Sequence, residues 1–234
     1  MARRRSLALK IGKWMRLWAF LLPAQAAWAA TFELMPMVGF QIDGSKDLAG
    51  PRNNQMDFKN AALRGLSLGY LNHENGELEL SWTRADSSAE IQRSGGAPPD
   101  RFDVRIEQFH LNGLYMVDPT DDDSQPPGVS RPGPLQPFVL FGAGATRFTP
   151  AGDLSATTRF SLALGGGVKW LWNDHIGLRF DARWTPAVVF PGTHFFCDET
   201  GTGSCYSTQA NSYGSRVYPL LESFEFTSGL LLRY

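Results

Sequence analysis

Hydrophobic and polar residues alternate along several stretches of this chain, most clearly over its last eleven residues. One set of alternate positions is mainly apolar: Phe224, Phe226, Ser228, Leu230, Leu232 and Tyr234. The other set is Glu225, Thr227, Gly229, Leu231 and Arg233. Successive side chains of a β-strand point to opposite faces, so this period of two predicts a strand with one apolar and one polar face.

Seven upstream segments repeat this pattern, which predicts eight strands: 32–42, 63–71, 77–84, 102–117, 137–148, 159–172, 175–185 and 224–234. Pro36 in the first strand requires an unpaired or bulged position. The fourth strand changes phase, since Val104 and Ile106 mark one face and Phe109 marks the other, which predicts a β-bulge near Glu107-Gln108. The fifth strand is rich in Gly and Ala, and its faces stay unassigned.

Short and long connections alternate between these strands. Tight turns follow the second strand, at Asn72 to Gly76, and the sixth, at Asn173-Asp174. Longer connections at 43–60, 85–101 and 186–218 are predicted to be external loops, as in outer-membrane barrels with short periplasmic turns. The segment 118–136 holds five prolines and breaks this alternation. It is kept as one long turn, because proline is excluded from central strands.

Alternation leaves open which face meets lipid. A soluble lipocalin-like barrel has its apolar face inside, and a membrane barrel has it outside. The second arrangement is favoured by aromatic residues placed toward strand ends, as in interfacial girdles: Tyr70, Trp82, Tyr115, Phe138, Trp170, Trp172, Trp184 and Tyr234. The lumen is then predicted to hold a charge network of Glu77, Glu79, Lys169, Arg179, Asp181, Arg183, Glu225 and Arg233.

The first 29 residues are predicted to be a signal peptide. A basic stretch precedes the apolar run Leu17 to Leu22, and Ala27-Trp28-Ala29 has the form of a signal-peptidase site. The run is shorter than the roughly 20 residues that a membrane-spanning helix needs, which disfavours an N-terminal anchor. Met15 offers an alternative start. Cleavage leaves 30–234 as one barrel domain with 16 basic and 23 acidic residues, a net charge of −7 that does not favour a nucleic-acid partner.

Several stretches resemble the OmpA-like eight-stranded outer-membrane barrel superfamily. They are Pro137 to Gly144, Gly165 to Val168, Gly177 to Trp184 and Gly229 to Tyr234. The resemblance implies an all-β, antiparallel, up-and-down transmembrane barrel of the barrel-only type, in the outer membrane of a Gram-negative bacterium. It implies contact with lipid and lipopolysaccharide, and a C-terminal signal for the barrel-assembly machinery at Phe226, Leu230, Leu232 and Tyr234. We expect a monomer with a structural or surface-interaction role, and the surface ligand is not predicted.

Little in the sequence points to other chemistry. Cys197 and Cys205 lie in the last long loop, and in an exported protein they are expected to form a disulfide. We expect no catalytic residues, metal site or cofactor. A lipid A-modifying enzyme would need a histidine beside a serine, and His110 is predicted to be an interior residue near Glu107 without a serine at strand spacing. A narrow ion or solute pore is the remaining alternative, because charged groups line the predicted lumen. The loop 186–218 is the main candidate binding surface, or else a shield over the barrel mouth.

Overall fold

Eight long antiparallel strands form the body of the molecule. The structure, a computed structural model, describes residues 31–48, 54–71, 76–92, 98–117, 134–152, 154–189 and 220–234. Its strands in chain order are β1 (Thr31–Asp43), β2 (Ser45–Leu48), β3 (Asn54–Phe58), β4 (Ala61–Leu71), β5 (Gly76–Gln92), β6 (Asp100–Met116), β7 (Leu135–Pro150), β8 (Thr157–Leu171), β9 (Ile176–Trp184), β10 (Ala187–Val188), β11 (Leu220–Leu221) and β12 (Ser223–Arg233).

The sheet closes on itself. β1, β4, β5, β6, β7, β8, β9 and β12 pair in that order, and β12 pairs back with β1. Closure removes the free strand edges that an open sheet leaves unpaired. The ladder between β1 and β12 is interrupted at Met35 and Pro36, while Pro36 stays opposite Leu66 on the β4 side. The prediction of an unpaired position at Pro36 is therefore confirmed.

The pairing is staggered around the barrel. We start at Val38 and step from each residue to its partner on the next strand. Through β4, β5, β6 and β7, these steps lead to Thr158 on β8. Followed through β12 and β9, they lead to Val168 on the same strand. This offset of ten residues is the shear of the barrel, which tilts its strands against the barrel axis.

The outer surface carries an apolar belt, as the alternation predicted. Outward residues such as Leu80, Phe141 and Phe226 are 57%, 63% and 50% exposed. Inward residues of the same strands are polar and buried, for example Glu79, Lys169 and Arg179. This arrangement is the inverse of a lipocalin-like barrel, and the alternative of a soluble barrel with an apolar interior is wrong.

The two ends of the barrel differ. At the turn end, where β8 passes into β9, the Asn173 side chain accepts hydrogen bonds from the backbone N–H groups of His175 and Ile176. This local bond holds the tight turn, as predicted. At the opposite, loop end, β2 and β3 form a hairpin that pairs with β5, and β10 pairs with β11 and β8.

Two predicted external loops are largely strand. β5 continues through Ala85 to Gln92 and β6 begins at Asp100, so 85–101 was wrongly assigned as loop; in 43–60, the hairpin β2–β3 was missed. The alternation persists there, but the apolar residues now point inward. They form an apolar cluster inside the loop end: Met56, Phe58, Ala89, Ile91, Val104, Ile106, Phe148, Ala187, Val189 and Leu221.

The predicted β-bulge at Glu107-Gln108 is also wrong. The register of β6 against both β5 and β7 is continuous through these residues. Val104 and Ile106 point inward into the apolar cluster, whereas Phe109 points outward in the apolar belt. The apolar residues of β6 therefore change from the outward to the inward side where the strand extends beyond the apolar belt, and its backbone stays regular.

Candidate functional site: the charged lumen

The predicted lumen charges all come from inward positions of four strands, β5, β8, β9 and β12. Seven of the eight are at least 94% buried, and Arg233 lies at the turn end with its side chain 16% exposed. They separate into two layers of ion pairs along the barrel axis, with Glu225 above them toward the loop end. Buried ions are costly unless they are paired and hydrogen-bonded, so the contacts decide whether this lumen is stable.

The lower layer, near the turn end, is built around Lys169. Its ammonium group contacts the carboxylates of both Glu33 and Glu77. Arg233 joins this layer, since its Nε lies 2.8 Å and its Nη2 2.5 Å from Oε1 of Glu33. Glu33 was not among the predicted lumen charges, although its place on the polar face of the first strand was a signal for it.

The central layer joins two carboxylates to two guanidinium groups. Arg179 contacts Glu79 at 2.5 Å and Asp181 at 2.8 Å. Arg183 contacts Asp181 at 2.9 Å and Glu79 at 3.4 Å. Asn112 donates hydrogen bonds to Glu79 and to Ser81, and the donor–acceptor distance is 2.9 Å in both. Each carboxylate therefore forms ion pairs with both arginines, and the four side chains form one connected network.

The ring of Phe138 packs against the central layer on its turn-end side. The guanidinium carbon of Arg179 lies 4.6 Å from the centroid of the Phe138 ring, a cation–π distance. Phe138 is buried in the interior, so its predicted place in the outer aromatic girdle is wrong. Sequence alone gave no face for the fifth strand, and the aromatic residue was assigned by its position near the strand end. Tyr70, Tyr115, Trp170, Trp172 and Tyr234 are exposed on the outside, as predicted.

Glycines on the inner face make room for these side chains. A Cβ at Gly69 would lie 2.1 Å from Oε1 of Glu77, and one at Gly142 would lie 2.0 Å from Oδ1 of Asn112. A side chain at either position would have to displace the buried polar group beside it, so glycine leaves room for Glu77 and Asn112 in their observed positions. The mixture of glycine with charged residues on the inner face thus follows from the packing of the lumen.

Glu225 lies where the charged section meets the apolar cluster. No ion pair within 4 Å includes it in the described part of the chain, and Gln108 hydrogen-bonds to it. A small cavity of about 10 Å³ lies nearby, with Gln41, Asp43, Gln108, Thr146 and Ser223 among its lining residues. That volume is about what one water molecule needs, and the lining combines these polar residues with the apolar residues Ile106, Phe148, Ala187 and Leu221.

His110 is interior, as predicted, but its surroundings differ from the prediction. Its Nε2 lies 2.9 Å from Oγ of Ser161 on β8. The prediction considered only serines at strand spacing from His110, whereas this serine is brought close by a strand farther along the chain. Both residues are opposite Gly144 of β7, whose missing side chain lets the imidazole reach across to the second strand. Glu107, by contrast, belongs to the outward-facing set of β6.

Several other predictions concern residues outside the described ranges: the signal peptide at 1–29, the disulfide at Cys197 and Cys205, and most of the loop 186–218. Among the residues that the structure does describe, no group of three or more His, Cys, Asp or Glu side chains is placed to bind a metal ion. Nor does that part of the chain contain a helix with the length and apolar character to cross a membrane.

Comparison with known proteins identifies the fold. No family model matches the chain, and no curated protein matches its sequence. Solved structures do match. The outer membrane protein OprG from Pseudomonas aeruginosa is similar with a TM-score of 0.60 and 14% identity, over 88% of this chain and 96% of OprG.

Neisserial surface protein A, NspA, is similar with a TM-score of 0.52 and 12% identity, over 88% of this chain and 99% of NspA. Both likenesses extend over nearly the whole of the compared barrels, so they concern the complete fold and not a shared hairpin. Together with the apolar belt and the ion-paired lumen, they show that this chain has the fold of the eight-stranded, OmpA-like outer-membrane β-barrels.

Proposed function

We propose that this protein is an integral barrel of the bacterial outer membrane with a closed lumen, and that it serves a structural or surface-presenting role. The observation that carries the proposal is the inversion of the barrel: apolar side chains cover the outside and ion pairs fill the inside. An apolar belt of this kind is stable only in lipid, because in water it would expose a large continuous apolar surface.

The packing of the interior supports closure. An eight-stranded barrel has a lumen just wide enough to be filled by side chains. In the central layer, Arg179 and Arg183 are buried and held by Glu79 and Asp181 from opposite sides of the lumen. Toward the loop end, the apolar cluster fills the next section of the interior. A hydrated ion would have to displace both the central layer of ion pairs and the apolar cluster to pass through the lumen.

A conductance measurement in planar bilayers tests closure. The full mature protein is refolded, inserted and compared with a general porin treated in the same way. We expect no steady single-channel conductance, because the paired arginines obstruct the lumen. Steady channels of uniform size would support the narrow-pore alternative and overturn the closed-lumen proposal.

The surface role is assigned to the loop end. The strands β10 and β11 pair and form the base of the connection that runs from 190 to 219. An epitope inserted after Gly201 is expected to bind antibody on intact cells. An epitope inserted after Gly128, in the connection at the turn end, should be accessible only after permeabilisation. The reverse labelling would contradict this orientation.

We infer no enzymatic role. His110 and Ser161 contact each other inside the barrel, away from the outer surface where lipid A would lie. Lipid A from cells with and without the gene should therefore give the same mass spectrum. A changed acyl pattern would overturn this inference.

The partners are proposed on the same basis. Lipid and lipopolysaccharide would surround the apolar belt, and the barrel-assembly machinery would recognise the outward positions Phe226, Leu230, Leu232 and Tyr234. Because closure leaves no unpaired barrel edge, the barrel needs no second copy to complete its sheet, and we expect a monomer.

A further inference from the structure

A row of charged residues crosses the outside of four neighbouring strands. Arg64 of β4 pairs with Arg84 of β5, Arg84 with Glu107 of β6, and Glu107 with Arg147 of β7. Arg64 and Arg147 are exposed, and the Arg84 side chain is 23% exposed. We call Arg64, Arg84 and Arg147 the arginine row.

The arginine row lies at the border between apolar and polar surface. One outward position toward the turn end, Leu66, Trp82 and Phe109 belong to the apolar belt. One outward position toward the loop end on β5 and β6, Asp86 and Arg105 are polar and exposed. The shear of the barrel makes the row rise toward the loop end from β4 to β7. On β5 and β6, the row therefore lies where the outward face changes from apolar to polar residues, the position expected for the passage from lipid into the headgroup region.

The positive charge of the arginine row is poorly balanced by the protein. Arg64 and Arg84 lie directly opposite each other, and like charges in such cross-strand pairs are destabilising. Arg84 contacts Asp86 at 3.0 Å. In the described part of the chain, no ion pair within 4 Å involves Arg64 or Arg147, although Arg147 is paired with Glu107 across the ladder.

Two cations nearer the loop end of the same wall, Lys59 and Arg101, do have an acidic partner. Arg101 and Lys59 lie 2.9 Å and 3.1 Å from the carboxylate of Glu90. Hydrogen bonds from Arg101 and Lys59 lower the pKa of Glu90. Among the described residues of this wall, the two cations without an ion pair within 4 Å, Arg64 and Arg147, thus lie at the border of the apolar belt, where anionic headgroups are available.

We propose that the arginine row binds the phosphate groups of lipid A, with acyl chains lying along Leu66, Trp82 and Phe109. This inference rests on the proposed location in the outer membrane. Arg64 and Arg147 are separated by three strand spacings, or about 14 Å, given spacings of about 4.8 Å between neighbours. A lipid with phosphates at both ends of a disaccharide can occupy two such separated positions, whereas a phospholipid offers one phosphate. Guanidinium groups bind phosphate with charge-assisted, often bidentate hydrogen bonds.

The experiment compares two double variants with equal loss of charge. Arg64→Gln/Arg147→Gln removes the two cations without an ion pair within 4 Å, and Lys59→Gln/Arg101→Gln removes two that are paired with Glu90. Full-length mature proteins refolded in detergent are titrated with bisphosphorylated lipid A, and bound lipid is counted by native mass spectrometry. We expect at least tenfold weaker binding for the first variant and less than a twofold change for the second.

Two further probes identify the chemistry that is recognised. Lipid A stripped of both phosphates should bind the wild-type protein as weakly as bisphosphorylated lipid A binds Arg64→Gln/Arg147→Gln. Phosphatidylglycerol should bind at least tenfold more weakly than lipid A. Equal binding of phosphorylated and stripped lipid A would overturn the proposal, and so would equal affinity for phosphatidylglycerol or unchanged binding by the first variant.

Gel mobility before and after boiling checks that each variant is folded. If the double variant fails to fold, the single variants Arg64→Gln and Arg147→Gln are used, and each is expected to weaken binding at least threefold. Because this titration is done in detergent, its outcome is independent of where the protein resides in cells. A failed location experiment and a failed lipid A site can therefore be told apart.

Discussion

At the level of single residues, three carboxylates in the lumen each form ion pairs with two cations: Glu33, Glu79 and Asp181. Glu79 holds both Arg179 and Arg183 and also accepts a hydrogen bond from Asn112. Alternation put Glu79 and both arginines on one face, and the aromatic residues near the strand ends favoured that face as the inner one. The partners could not be derived in the same way, because they depend on the register and shear that bring β5 opposite β9 across the lumen.

The Glu79→Ala variant tests the importance of this layer. Removing the carboxylate leaves two buried guanidinium groups without one of their partners, and breaking a buried pair costs about 3–5 kcal/mol. Urea unfolding in detergent or lipid should show a loss of that order in the free energy of unfolding. Glu90→Ala removes an acid from exposed ion pairs of the same strand and serves as the control, with no measurable change expected. Equal stability of the wild-type protein and Glu79→Ala would show that the layer is not stabilising.

The contact between His110 and Ser161 shows what single-residue reasoning missed. The two residues are 51 positions apart, and β7 lies between their strands. They meet only because Gly144 has no side chain between them. A glycine in the fifth segment was visible in the sequence, but its alignment with His110 and Ser161 required the register of three strands.

At the scale of whole strands, the environment changes along the strand while the backbone continues. On β5, outward residues are apolar at Leu78 and Leu80, then polar or charged from Arg84 to Glu90. Inward residues change in the opposite sense, from Glu79 to Ile91. The sequence prediction assumed one orientation of the apolar face, so it ended this strand at Arg84 and interpreted the same inversion in β6 as a bulge.

A pair of arginine substitutions on the outer face of β5 tests this inversion. Leu80→Arg places a charge in the apolar belt, and such a change destabilises a membrane barrel by about 2–4 kcal/mol near the bilayer midplane. Ser88→Arg makes the same charge change on the same face, eight residues nearer the loop end, where the neighbours Asp86 and Glu90 are acidic. Refolding into lipid vesicles, followed by gel mobility, should be impaired for Leu80→Arg and normal for Ser88→Arg. Equal effects would contradict the assigned border of the belt.

At the scale of the whole molecule, the two ends of the barrel domain meet and close the sheet. Tyr234 and Phe32 exchange backbone hydrogen bonds of 2.9 Å and 3.0 Å, and Arg233 contacts Glu33 across the same seam. The predicted up-and-down barrel requires such a pair between its first and last strands, because only this pairing closes the sheet. The sequence could not predict the gap in the ladder on the β12 side of Pro36 or the offset of ten residues around the barrel.

The proposed assembly signal is tested by Tyr234→Ser, which keeps the backbone bonds to Phe32 and removes the terminal aromatic ring. We expect the variant to refold in detergent as well as the wild-type protein, while much less of it reaches the folded state in cells. Trp172→Ser removes another exposed aromatic residue from the turn end and should assemble normally. Normal cellular assembly of Tyr234→Ser would show that the ring is not part of a recognition signal.

The apolar outer surface of this barrel is proposed to lie in the outer membrane. The most direct test of this claim is the gel mobility of the protein extracted from carbonate-washed outer membranes, compared before and after boiling. The protein should remain with the membranes and migrate faster before boiling, because a closed barrel resists unfolding by detergent at room temperature. Recovery in the soluble fraction, or the same mobility with and without boiling, would contradict the claim.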